Sequence, residues 1–191
     1  MSERKGSDII KGWPEDAREP AQLVIDKYGE PHEATESFLI WHKVGSWKRV
    51  IASKEVYKHD WPRPHWDAVE CVVDYRVPVE YFSPIASFDG SVIVERTGGE
   101  ASARCHDEEA NNLALNLMHD IVTGKKDTQQ ARDYYVKEVL DYRRKKPTPY
   151  MDALRFEPRR DSGDPDKHVL SDEDLKRAEQ EAAGQGERVT T

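Results

Sequence analysis

Apolar residues recur along this chain at two periods, and the switches between them mark its elements. In "PAQLVIDKYGEP", Ala21, Val24, Ile25 and Tyr28 fall at i, i+3, i+4 and i+7, the stripe of one helical face. Pro20 suits a first turn, Gly29 a left-handed stop, and Pro31 blocks continuation. The period then shortens. "ESFLIWHKVGSWKRVIAS" holds two β-rich runs around Gly45-Ser46, which predicts a hairpin with a two-residue type II′ turn. In that register Val44 faces Trp47, His42 faces Arg49, Ile40 faces Ile51 and Phe38 faces Ser53. Leu39, Trp41, Val50 and Ala52 point the other way, with Lys43 opposite Lys48. Both faces are partly apolar, so this sheet is either covered on two sides or meets a partner on one.

"DAVECVVDYRV" satisfies both periods. Asp67 with Glu70 has the form of a capping box, and Val69, Val72 and Val73 share a helical face, yet Cys71, Val73, Tyr75 and Val77 alternate as in a strand. The box favours a helix over 68–77, ended by Pro78 either way. "SVIVERTGGEASARC" predicts a second hairpin on a Gly98-Gly99 turn, pairing Val92 with Cys105, Val94 with Ala103 and Arg96 with Ala101. Ala101 and Ala103 leave room there for a close helix. Two helices follow. One carries Ala110, Leu113, Ala114, Leu117 and Ile121 in a stripe, with Asp107 as N-cap and Gly124 as stop. The other opens on an Asp127–Gln130 capping box and buries Ala131, Tyr135, Val139 and Tyr142. The pattern as a whole is α+β: two antiparallel hairpins forming a small sheet packed with about four helices.

Composition then sets the boundaries. From Pro147 onward there are 7 Lys/Arg against 11 Asp/Glu and few aromatic or β-branched residues. Such a segment buries too little apolar surface to offset ordering entropy of about 1–2 kcal/mol per residue. Residues 1–11 are therefore expected to be flexible, 12–146 to form one domain, and 147–191 to be a polar, mostly disordered tail, with a solvated helix after Ser171 at most. A net charge of -8 weighs against a nucleic-acid binder, whose affinity comes from neutralising phosphates. The basic run Arg143 to Lys146 suits the negative end of a helix dipole. No apolar run spans a membrane and none has signal-peptide length at the N-terminus. Cys71 and Cys105 lie in apolar segments without a CxxC, as free thiols of a reducing cytoplasm do.

The helix–"YGEP"–hairpin run from Pro20 to about Ala52 resembles a building block of outer-membrane assembly lipoproteins and β-lactamase-inhibitor-like domains, covering about a sixth of the chain. The resemblance implies a binding rather than a catalytic scaffold. It carries over no functional residues, and the lipidated Cys of the membrane members has no counterpart here.

The densest chemistry is "HDWPRPHWD", His59 to Asp67. A mononuclear site needs both imidazoles about 2.0–2.1 Å from one ion. Pro62 and Pro64 favour extended backbone, and at about 3.1 Å per residue in polyproline form the six steps from His59 to His65 span roughly 19 Å. The expectation is a stiff structural loop, with Asp67 capping a helix and the two histidines acting apart. His42 is expected beside Arg49 as a hydrogen-bonded member of a half-buried face. His119 lies near Asn112, Leu115 and Asn116 on what reads as a solvated side of its helix. No nucleophile elbow, HExxH or phosphate-cradling glycine loop occurs.

These features favour a non-enzymatic cytoplasmic binding module, needing no cofactor and binding a protein partner or a second copy through Trp41, His42, Trp47, Arg49, Trp61 and Trp66. The alternative is a small metal-dependent or acid–base enzyme using His42, His59, Asp60 and His65, with His59 and His65 as metal ligands and a small molecule as its ligand. A third is weak nucleic-acid association through Arg143 to Lys146.

Overall fold

A computed structural model describes residues 5–159 and 163–186. Its elements in order are α1 (Gly6–Ile9), α2 (Glu15–Tyr28), β1 (Glu33–Ala34), β2 (Phe38–Val44), β3 (Trp47–His59), β4 (His65–Asp74), α3 (Phe82–Phe88), β5 (Val92–Glu95), β6 (Glu100–Cys105), α4 (Glu108–Val122), α5 (Thr128–Arg143), α6 (Pro149–Asp152) and α7 (Asp172–Gly186). The fold is α+β. The strands form one antiparallel sheet in the order β1-β2-β3-β4-β6-β5.

The first hairpin has the predicted register, from Phe38–Ser53 to Val44–Trp47, with Gly45 at φ 55°. Leu39, Trp41, Val50 and Ala52 align with Val69, Cys71 and Val73 of β4 and with Ala101, Ala103 and Cys105 of β6. All are buried against α2 and α4 in one core. The opposite face is buried only at its centre, at Val72 and Ser102; towards its edges Phe38 is 44% and Ile93 39% exposed. Its polar positions are paired among themselves, Arg49 with Glu100 and Ser102 with Glu70.

Residues 65–74 form a strand, overturning the helix expected over 68–77. A position between β3 and β6 pairs residues 69–72 on both sides and buries both faces there, which Val69, Cys71 and Val72 fit. The second hairpin pairs Val92 with Ala103 and Val94 with Ala101, two residues from the expected register. The Glu95 carboxylate accepts from the Thr97 and Gly98 amides, widening the turn to four residues. An even slip keeps every side chain on its face.

Helix α2 starts earlier than expected, at Glu15, so Pro20 lies inside it and is buried. The chain before it is packed as well: Ile9, Ile10 and Trp13 belong to the core, and Trp13 Nε1 donates to the Glu36 carbonyl. Asp107 and Asp127 cap α4 and α5 as predicted, the latter with its reciprocal box. Tyr142, expected in the core, is 49% exposed.

Pro147 does not end the folded unit. Asn112 Nδ2 donates to the Met151 carbonyl at 3.1 Å, and Asn116 Nδ2 to the carbonyls of Tyr150 and Ala153 at 2.9 and 2.8 Å. The side of α4 that reads as solvated is thus the seat of residues 148–156. Helix α7 does form, after a Ser171 hydroxyl cap, with Leu175 half exposed. The flexibility and disorder expected for residues 1–4, 160–162 and 187–191 lie outside the described residues. Among the described residues no helix is long and apolar enough to cross a membrane.

Candidate metal centre

The loop 60–64 reverses the chain, so that His59 at the end of β3 and His65 at the start of β4 are cross-strand partners. Their ring centroids are 4.9 Å apart. This overturns the extended separation inferred from the prolines. Those prolines occupy the turn of a hairpin, where nothing keeps successive residues running in one direction; the Trp61–Pro62 peptide is cis. The loop is anchored from outside the hairpin. Trp61 packs on Tyr135 of α5 at 4.7 Å, edge-on to Phe88 of α3 at 6.1 Å, and beneath the Arg132 guanidinium at 4.1 Å.

Two residues beyond His65, the strand repeat turns Asp67 to the same side. It caps no helix; it is a strand residue buried to 1% exposure. The turn between α3 and β5 brings Asp89 and Ser91 to the same place, with Asp89 2% exposed. Ser91 Oγ donates to Asp67 Oδ2 at 2.5 Å and lies 3.2 Å from His59 Nδ1, while the Ser91 amide donates to Asp89 Oδ1 at 2.8 Å. His59 Nδ1 is 3.5 Å from Asp67 Oδ2, and its Nε2 is 3.8 Å from Asp89 Oδ1.

The protons of His65 are constrained by its neighbours. Nδ1 lies 2.8 Å from the Arg63 carbonyl, which only accepts, so Nδ1 carries a hydrogen. In the neutral ring, Nε2 then presents a lone pair, and the atom it faces, 3.1 Å away, is Asp67 Oδ1. That oxygen is buried and receives no well-directed hydrogen bond; Asp89 Oδ2 is also buried without a partner. Two lone pairs face each other unless a cation comes between them. A second ring proton is one such cation, and the Asp67 carboxylate accordingly holds the His65 pKa above its ordinary value despite burial. A metal ion is the other. Burial, the largest influence on Asp89, raises its pKa. Among the described residues no Lys or Arg forms an ion pair with either aspartate.

His59, His65 and Asp67 each offer one donor atom within 4.8 Å of the others. Donors about 2.1 Å from a tetrahedral ion are separated by roughly 3.4 Å, so these three would have to draw closer together to hold one. Two imidazole nitrogens with carboxylate oxygen suit zinc or another first-row divalent ion rather than calcium or magnesium. The Nδ1–H to carbonyl bond of His65 and the serine bond to Asp67 are the outer contacts that orient such ligands.

The other candidates are not gathered here. Asp60 is exposed beside Lys58 at 3.0 Å. His42 Nε2 meets Glu33 at 2.5 Å, while Arg49, its register partner, turns to Glu100. Trp41 and Trp47 are core residues, bonded through Nε1 to the Gly29 carbonyl and to Glu108, which leaves them no surface for a partner. Trp66 is 39% exposed, so the four tryptophans form no common patch. Sequence reasoning passed over Asp89 and Ser91 and gave Asp67 another role. The period-two run His65, Asp67, Val69, Cys71, Val73 is the signal that could have placed Asp67. Comparison with family models, curated proteins and solved structures finds no match to this chain.

Proposed function

We propose that this is a metal-dependent protein whose ion is held by His59, His65 and Asp67, with Asp89 as an additional buried carboxylate. The observation that carries the reading is the facing pair of His65 Nε2 and Asp67 Oδ1, a geometry that calls for a cation. The His59 and His65 side chains are 18% and 23% exposed, so the ion borders solvent. With Asp89 outside the ligand set, three protein ligands leave a position for water or substrate, the arrangement of catalytic rather than closed structural centres. This supports the enzyme reading over the interaction-module reading, whose tryptophan anchors are divided between core and surface. Two buried free thiols and the negative net charge favour a cytoplasmic protein that does not bind nucleic acid.

The test is metal content and titration of chelator-treated protein with zinc and cobalt. One ion per chain is expected, with His65→Gln and Asp67→Asn each abolishing stoichiometric binding and His42→Gln leaving it intact. Absence of stoichiometric binding in the unmodified protein, or its persistence in the His65→Gln/Asp67→Asn double variant, sinks the proposal.

A further inference from the structure

A second site lies away from these residues. A cleft of about 520 Å3 opens between the end of β4, the C-terminal half of α4 and residues 156–159. His119 stands in its wall, locked by aromatic neighbours. Its Nδ1 is 2.8 Å from the Tyr75 hydroxyl, Tyr75 meets its ring edge-on, and Phe156 stacks on it with centroids 4.8 Å apart and planes 20° from parallel. Among the described residues Nε2 has no partner. Burial holds the imidazole pKa below its ordinary value; the Asp120 carboxylate opposes it, and the charges of Lys125 and Arg159 push the same way as burial. The ring is therefore neutral at pH 7. The Tyr75 hydroxyl can donate to Nδ1 or accept from it; in the tautomer in which it donates, the neutral ring carries its one N–H at Nε2.

The charges around this donor are mostly positive. Arg159 is tied to the sheet by its own amide, which donates to the Asp74 carbonyl at 2.9 Å. Its guanidinium has no hydrogen-bond or ion-pair partner among the described residues. Arg76 also lines the cleft and spends part of its guanidinium on the Gly163 carbonyl. Glu157 is the one carboxylate in the lining. It sits on the ridge shared with a neighbouring cleft lined by Lys43, Lys48 and Asp74, in which Lys48 is paired with Asp74 and Glu100.

We propose that this cleft binds the oxyanion of a small organic acid, a carboxylate or a phosphate monoester, with Arg159 and His119 Nε2 as donors and Phe156 against the apolar part of the ligand. An unpaired arginine is common on any surface. An unpaired arginine lining the same concave site as an imidazole held by two aromatic rings offers an oxygen anion two nitrogen donors. No ion at His59, His65 and Asp67 is required, so the two proposals fail separately.

The experiment titrates chelator-treated protein with inorganic phosphate and with benzoate, following the His119 ring resonances by NMR. A saturable shift of those resonances is expected. Response to both probes identifies a general oxyanion site, to phosphate alone a phosphate ester site, and to benzoate alone a carboxylate site. Arg159→Gln, at an exposed position that leaves the core untouched, should weaken binding by about tenfold or more, the scale of one lost charge-assisted hydrogen bond. No saturable shift with either probe, or unchanged affinity in Arg159→Gln, overturns the proposal.

Discussion

A carboxylate buried as deeply as Asp67 costs several kcal/mol unless charge and hydrogen bonds compensate it. Its surroundings supply a serine hydroxyl, two imidazoles and a second buried acid. Under the proposed reading a divalent ion answers that deficit. Zinc at about a hundred times its dissociation constant should then stabilise the fold by about 2.7 kcal/mol in denaturant titrations, and Asp67→Asn should remove the effect. His119 obeys the opposite logic. Its folded pKa is depressed below the ordinary 6.5, so the unfolded chain takes up the proton first. Its contribution is complete above that value and is lost as pH falls through 6.5 towards the folded pKa. His119→Gln should flatten the stability–pH curve below 6.5 relative to the unmodified protein. Trp41, fully buried with its indole N–H on the Gly29 carbonyl, should cost about 3–5 kcal/mol when replaced by alanine.

Among the elements, α5 shows the strongest local encoding. The Asp127 carboxylate accepts from the Gln130 amide at 2.8 Å, and the Gln130 side chain returns the bond to the Asp127 amide at 2.9 Å. Asp127→Ala should therefore destabilise by about 1 kcal/mol, within the 0.5–2 range of lost caps, in a thermal or denaturant melt. Strand β4 is the contrary case. Asp67 and Glu70 make a sound capping box on paper, but a helix there would leave β3 and β6 without the strand that joins them. Pairing on both sides outweighs a capping preference of about 1 kcal/mol. The second hairpin lies between these cases. Its composition specified strand faces, while the Glu95 side chain, reaching the turn amides, set the loop length.

At the scale of the molecule, the segment after Pro147 turns a two-sided α4 into a core helix. Leu115 and Met118 are fully buried, and Asn112 and Asn116 hold the segment by its carbonyls. Asn116 Oδ1 also accepts from the Arg155 amide at 2.6 Å. A chain ending after Lys146 should lose these bonds and expose apolar surface of α4, giving a lower melting temperature and binding of a hydrophobic dye. One ending after Arg159 should melt like the full chain. Retention of full stability by the shorter chain would show that the seat contributes nothing. The same segment supplies Phe156 and Arg159 to the anion cleft, so that site is complete only with the chain folded past residue 147.

The sequence by itself determined whatever depends on neighbours a few residues apart: the helical stripe before Gly29, the register around Gly45-Ser46, the caps at Asp107 and Asp127, and the alternation that made the fold α+β. Tertiary structure decided what depends on distant partners. It chose strand over helix for residues 65–74, because only the sheet could say that both edges would be paired. It folded the polar-looking ends onto the core through Ile9, Ile10 and Met151, too few apolar residues to register in composition. It also brought His59, His65, Asp67 and Asp89 together, a meeting fixed by strand pairing and by the turn before β5. No linear spacing encodes that convergence, since backbone stiffness within a loop says little once cross-strand hydrogen bonds fix where the loop begins and ends.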